Sequence, residues 1–231
     1  METPKRILAI ETSGRLGSAA LLTGHAGSAE TIAQFHVSTE QRTAQALAPG
    51  MQRLLAGAEW PAKSVDLVAV AVGPGSFTGL RIGVTTAKTF AYAVGAEIIG
   101  VNTLAVIAAQ APPTSQTLWT ILDAQRQELF VSKFAANPAG DVLMMEDTSI
   151  LSQHSWIAQL SPGDHVTGPA LKRLASQLPS DVTVASENVW QPRATTVGQV
   201  ARKAYQYGQR DDVWKLLPSY YRPSAAEEKL R

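Results

Sequence analysis

The chain has 231 residues, 45% hydrophobic and 17% charged, enough to bury a core in one large domain or two small ones. Lys+Arg 20 against Asp+Glu 19 leaves a net charge of +1, which gives no electrostatic footprint for nucleic acid or an anionic membrane. The absence of cysteine excludes disulfides, thiolate metal sites and cysteine nucleophiles together.

Met1-Glu-Thr-Pro-Lys-Arg6 lacks a signal-peptide core, and no apolar run approaches membrane-spanning length, so a cytoplasmic protein is expected. Arg6-Ile-Leu-Ala-Ile-Glu11 reads as a buried strand ending in a carboxylate. A second strand follows at 17–22, and a third at 30–37 after a turn around Gly24-His25-Ala26-Gly27. A strand-end acid followed by Thr12-Ser13 can hold a hydrated metal and phosphate oxygens. It is equally the pattern of a hairpin acid with turn-forming hydroxyls, and both readings stay open. Ser38-Thr-Glu-Gln41 has capping-box form, and Ala44, Leu47, Ala48, Met51, Leu54 and Leu55 then share one helical face, which Pro49 should kink.

The run Val68-Ala-Val-Ala-Val-Gly-Pro-Gly-Ser-Phe-Thr-Gly-Leu-Arg-Ile-Gly83 is the most informative stretch. A buried strand stops at Gly73-Pro74-Gly75, Ser76 is placed to cap, and a helix runs from Phe77 toward Gly95. The turn points backbone N–H groups and the positive helix end at one spot, which suits a phosphate or a close neighbour. No lysine follows Gly79, so a Walker loop fails, and the third glycine comes one residue late for a dinucleotide fingerprint. Gly79, Gly83, Ala87, Ala91 and Gly95 recur every fourth residue, leaving one ridge of the helix nearly bare. Such a ridge serves close packing within the chain or a helix shared with a partner subunit.

The first hundred residues thus read β-β-β-α-β-α-β, not the strict alternation of a doubly wound nucleotide fold. After a short helix at 103–111, Leu118-Trp-Thr-Ile-Leu-Asp123 and Glu128-Leu-Phe-Val-Ser-Lys-Phe134 form a hairpin, and 142–151 supply a third strand. Two short helices alternating with two short strands follow through Val184, then a helix at 195–207 and an extended tail that frays after Pro223. Two halves that each begin with three strands suggest a duplicated fold. His25, His36, His154 and His165 form no zinc motif, and Ser76 stands in no Gly-x-Ser-x-Gly elbow. Asp123, Arg126 and Glu128 cluster at a hairpin tip, where a solvated charged turn is the simplest account.

Ile7-Leu-Ala-Ile-Glu-Thr-Ser13, Gly73-Pro-Gly-Ser-Phe-Thr-Gly-Leu-Arg-Ile-Gly83, Gly100-Val-Asn-Thr-Leu104, Asp123-Ala-Gln-Arg-Gln-Glu128 and Pro218-Ser-Tyr-Tyr-Arg222 occur in the order seen in the TsaB (YeaZ) family. The chain resembles that family over nearly its full length. The resemblance implies an α/β fold of the actin/sugar-kinase/Hsp70-like kind, two lobes each built on a mixed sheet flanked by helices. The lobes are expected at 1–103 and 104–231, the second carrying the C-terminal helix and tail.

The implied role is in forming N6-threonylcarbamoyladenosine at position 37 of ANN-decoding tRNAs. In it the chain is a non-catalytic paralogue of the transferase TsaD, joined by the ATPase TsaE and touching tRNA only indirectly. Pairing with TsaD is implied through two helices, here about 41–56 and 77–94, with Leu47, Met51, Gly79, Gly83, Ala87, Phe90 and Ala91 as expected contacts. Alone, the chain is expected to form a homodimer through that surface. No cofactor or metal is required by this reading. ATP or ADP, if held, falls to Glu11, Thr12, Ser13, Gly73 and Gly75.

The chain departs from the family pattern at several places: Glu11 for a common aspartate, Thr43 for a histidine, and Gln125 and Gln127 for an arginine and a glycine in the hairpin. The competing readings are an independent ATP-dependent small-molecule kinase or ATPase of the same fold, and a peptidase. For the peptidase no zinc pair, serine elbow or cysteine is present.

Overall fold

The computed structural model describes residues 6–25, 28–38, 40–114, 116–136 and 142–222. The turn residues Ala26 and Gly27 and the tail from Pro223 lie outside them. The chain divides into two units, one of Met1–Asn102 with Arg193–Ser219, the other of Thr103–Pro192 with Tyr220–Arg231.

The first unit is built on a five-stranded sheet. Its strands are β1 (Arg6–Glu11), β2 (Ser18–His25), β3 (Ser28–His36), β4 (Leu67–Gly73) and β5 (Glu97–Asn102), in the order β3-β2-β1-β4-β5. β1 and β2 pair antiparallel, as do β2 and β3, whereas β1–β4 and β4–β5 are parallel. The unbroken apolar runs of β1 and β4 place them at the centre, where Ile7, Leu8, Ala9, Ile10 and Leu67, Val68, Ala69, Val70, Ala71 are fully buried.

Helices α1 (Thr43–Gly57) and α2 (Phe77–Val94) lie on one face. There Leu47, Met51, Leu54, Val84, Ala87 and Ala91 join Leu8, Ile10, Leu21, Val68 and Val70 in one core cluster. Burying each of the large side chains contributes about 1.5–3 kcal/mol. The capping box expected at Ser38 and Gln41 does not form. α1 begins at Thr43 with Arg42 as an N-cap that makes no side-chain bond, and Thr43 is packed against Gly17 instead. A tertiary contact, not a local cap, sets this helix start. α1 then runs without a break across Pro49.

The opposite face of the sheet is covered by α6 (Ala194–Gln206), which touches β1, β2, β4 and β5. This corrects the expected lobe assignment, in which the C-terminal helix belongs to the second half. Gly198 explains the docking, since a Cβ there would meet Leu22 Cδ1 at 2.5 Å and Ala9 Cβ at 3.2 Å. Periodicity locates such a helix but does not say which sheet it covers.

Beyond α6 the chain forms a strap along the β5 edge. Asp211 N donates to Ile98 O and Gly100 N donates to the Asp211 carboxylate, at 3.1 and 2.8 Å. Lys88 of α2 donates to the Trp214 and Leu216 carbonyls, and Ser219 N to Val72 O.

In the second unit β6 (Leu118–Asp123), β7 (Glu128–Ala136), β8 (Val142–Ser152), β9 (His165–Thr167) and β10 (Thr183–Val184) are ordered β10-β9-β6-β7-β8. Read from β8, this is the same 3-2-1-4-5 order as in the first unit, with the same senses of pairing. α3 (Thr103–Gln110) covers one face through Leu104, Ile107 and Ala108 against Leu118, Leu122, Phe130 and Phe134. Trp156 of α4 (Gln153–Ile157) and Leu171 and Leu174 of α5 (Leu171–Leu174) join Trp119, Ile121 and Val131 on the other.

Candidate functional site

Glu11, Thr12, Ser13, Gly73 and Gly75, far apart in sequence, do come together at the ends of β1 and β4. Parallel pairing of these strands carries both C-terminal ends to the same edge of the sheet. Ser76 N donates to Ser13 O at 2.7 Å, and a Cβ on Gly75 would stand 2.5 Å from that same oxygen. Gly75 has φ +154 and Gly73 φ +132, backbone that only glycine adopts without strain. Ser76 caps α2 as expected, its hydroxyl accepting from Gly79 N at 3.2 Å.

The arrangement is closed. Glu11, Thr12 and Ser13 are 1, 1 and 4% exposed. One Glu11 carboxylate oxygen accepts from Ser13 N at 2.6 Å and from the Ser13 hydroxyl. Burial pushes the Glu11 carboxyl up to about 7, a rise that the Ser13 bonds only partly offset. These bonds, with a further one from the Gly14 backbone, all lie within its own turn. Thr12 O sits where a side chain on Gly79 would be, and Thr12 Oγ1, which has no hydrogen-bond partner among the described residues, sits where one on Gly83 would be. The Thr12-Ser13 segment therefore fills the space in front of the first turns of α2 that an anion would need.

This gives the glycine ridge of α2 an origin inside the chain. Gly83, Ala87 and Ala91 are buried, the two alanines fully, and Leu47 and Met51 are 1 and 4% exposed. Of the residues expected to meet a partner, only Gly79 and Phe90 keep intermediate exposure. The outward faces of α1 and α2 carry Ala44, Ala48 and Gln52, and Thr85, Thr89 and Tyr92. Tyr92, 65% exposed, makes an edge contact with Trp214 of the strap at 4.8 Å between ring centroids. Sequence periodicity missed the strap, because its anchors Asp211 and Lys88 belong to no amphipathic pattern.

In the second unit the hairpin joining β6 and β7 holds Gln125, Arg126 and Gln127 at φ 66, 54 and 59, three consecutive left-handed residues without a glycine. Asp123 accepts from Gln125 N at 2.9 Å and pairs with Arg173 at 2.9 Å. Arg222 donates to Ala124 O at 2.7 Å and pairs with Glu128. The motif at 218–222 and the motif at 123–128 are thus one structural device, invisible as such in the sequence.

Among the described residues no group of three His, Asp or Glu side chains is placed to hold a metal. Nor is any helix of the described residues long and apolar enough to cross a membrane.

Two units of identical strand order, each a mixed sheet between helices, define a duplicated α/β protein of the actin/sugar-kinase/Hsp70-like class. A family model described as TsaD, tRNA N6-adenosine threonylcarbamoyltransferase, matches residues 37–215. The tRNA threonylcarbamoyladenosine biosynthesis protein TsaB of Bacillus subtilis is 28% identical over 96% of each chain. Its namesake from Escherichia coli is 27% identical over 97% of this chain and 98% of its own. In fold the chain is similar to YeaZ from Pseudomonas aeruginosa, with a TM-score of 0.76 and 22% identity over 94% of this chain and 99% of that one. The chain belongs to the TsaB (YeaZ) branch of the TsaD-related proteins.

Proposed function

We propose that this chain is a non-catalytic subunit for formation of N6-threonylcarbamoyladenosine in tRNA, binding a TsaD-type transferase and supporting its activity. The observation that carries the reading is the closed turn at the end of β1. The carboxylate that should reach a nucleotide's metal is buried and bound to Ser13. The match to the TsaD model and the t6A biosynthesis role named for the TsaB relatives support the reaction, and the transferase partner is proposed with it.

Docking is proposed on the outward faces of α1 and α2, through Ala48, Thr85, Thr89, Phe90 and Tyr92 rather than the buried ridge. A second copy of the chain covers this face when the transferase is absent. A TsaE-type ATPase joins the pair, and tRNA is contacted chiefly through the partners.

Light scattering of the chain, of a TsaD-type partner and of their mixture tests this. A new heterodimer at micromolar concentration is expected; two species that persist unmixed would refute it. The alternative, an independent kinase or ATPase, predicts tight ATP–Mg binding by the isolated chain, which calorimetry measures directly. A silent titration removes that alternative.

A further inference from the structure

Leu80 and Val84 bury the proposed docking helix against the sheet, but its ridge at Gly79 and Gly83 has no side chains with which to interlock. The turn at the end of β1 supplies the contact there. Thr12 O and Oγ1 lie against Gly79 and Gly83, Ser13 O accepts from Ser76 N, and Ser13 also backs Gly75. These contacts span the glycine turn and the first two turns of α2. The turn itself is short, and two donors of Ser13, its N–H and its hydroxyl, are held by one group, the Glu11 carboxylate.

We propose that Glu11 is a positioning residue for partner binding. Its carboxylate holds the Thr12-Ser13 turn, and that turn seats the N-terminal half of α2 in the docking-competent place. This rests on the reading that α2 faces the partner. The chain of contacts is contiguous: Glu11 to Ser13, Ser13 to Ser76 and Gly75, Thr12 to Gly79 and Gly83.

The test uses the full chain with Glu11→Ala, Glu11→Gln and Ser13→Ala, read by amide hydrogen exchange and by calorimetric titration with the TsaD-type partner. Glu11→Ala is expected to lose protection at residues 76–80 while Trp119 and Ile121 keep theirs. Partner affinity should fall about tenfold, the size of a coupling carried through one packed element. Glu11→Gln keeps an acceptor for Ser13 and should restore both readouts. Unchanged protection at 76–80 in a folded Glu11→Ala chain overturns the proposal, as does equal loss in the Gln variant.

If Glu11→Ala unfolds globally, Ser13→Ala decides. It removes only the hydroxyl donor, and unaltered exchange at Ser76 then refutes the link. Should the unsubstituted chain fail to bind the partner, the proposed function falls, while the exchange readouts still judge the role of Glu11.

Discussion

Gly83→Ala is the sharpest perturbation of the α2 ridge. An alanine in a helix interior is intrinsically better than glycine by roughly 1 kcal/mol, so on propensity alone the variant should be more stable. The new Cβ, however, would overlap Thr12 Oγ1 and lie 3.3 Å from Thr12 Cβ. Thr12 is 1% exposed and its β-branched side chain is stiff at χ1, so it has little room to turn aside. Overpacking of this kind costs about 1–3 kcal/mol, and after the helix gain the net expectation is a loss of up to about 2 kcal/mol. Urea unfolding measures it as a lower midpoint with an unchanged slope. Thr12→Ala removes the obstructing atoms, so the double variant should recover the helix gain and exceed Thr12→Ala alone by about 1 kcal/mol. If Gly83→Ala alone proves more stable than the parent chain, or Thr12→Ala gives no rescue, the ridge is not set by this contact.

Other expectations follow from the same geometry. Glu11 has a folded-state value near 7 against 4.5 for a free carboxyl, so the fold binds its proton more tightly than the unfolded chain. Stability relative to Glu11→Gln should be greatest below pH 4.5 and fall by about 3 kcal/mol as the pH rises to 7; parallel profiles for the two chains would refute this. Gln127→Gly relieves a left-handed residue at φ 59 and should raise the melting temperature through a gain of about 1 kcal/mol, whereas a loss would show that the glutamine side chain holds the turn. Thr89→Arg changes an exposed position and should leave the urea midpoint unchanged, whereas Tyr92→Ala also loses the Trp214 edge contact and should lower it slightly; both should weaken partner binding at least tenfold in calorimetry, the usual signature of an interface anchor. Full affinity in both variants would move the interface off α2.

Local chemistry was legible where it is decided locally. The apolar runs of β1 and β4, the glycine stop after β4 and the Ser76 cap are all found where short-range pattern puts them. The duplication was readable as two sets of three strands, and the common strand order makes it explicit. The small-residue ridge is legible in the sequence, but its purpose is not. A bare ridge records that something comes close, and only the fold shows that the neighbour is Thr12 of the same chain. The start of α1 was misplaced for a related reason: Thr43 docks on Gly17, a contact no capping rule contains. The pairing of Arg222 with Glu128 joins residues 94 apart, and nothing in either motif names the other.

The discontinuity of the first unit also bears on how the protein is made. A ribosome delivers residues 6–102 early, yet the helix that covers Ala9 and Leu22 and the strap along β5 arrive only after Pro192. The second unit is nearly continuous in sequence and can close while the first still has one apolar sheet face bare to water. For that interval the nascent chain carries an aggregation-prone surface whose natural cover is still being synthesised, and a message cut short before residue 193 would leave it uncovered for good.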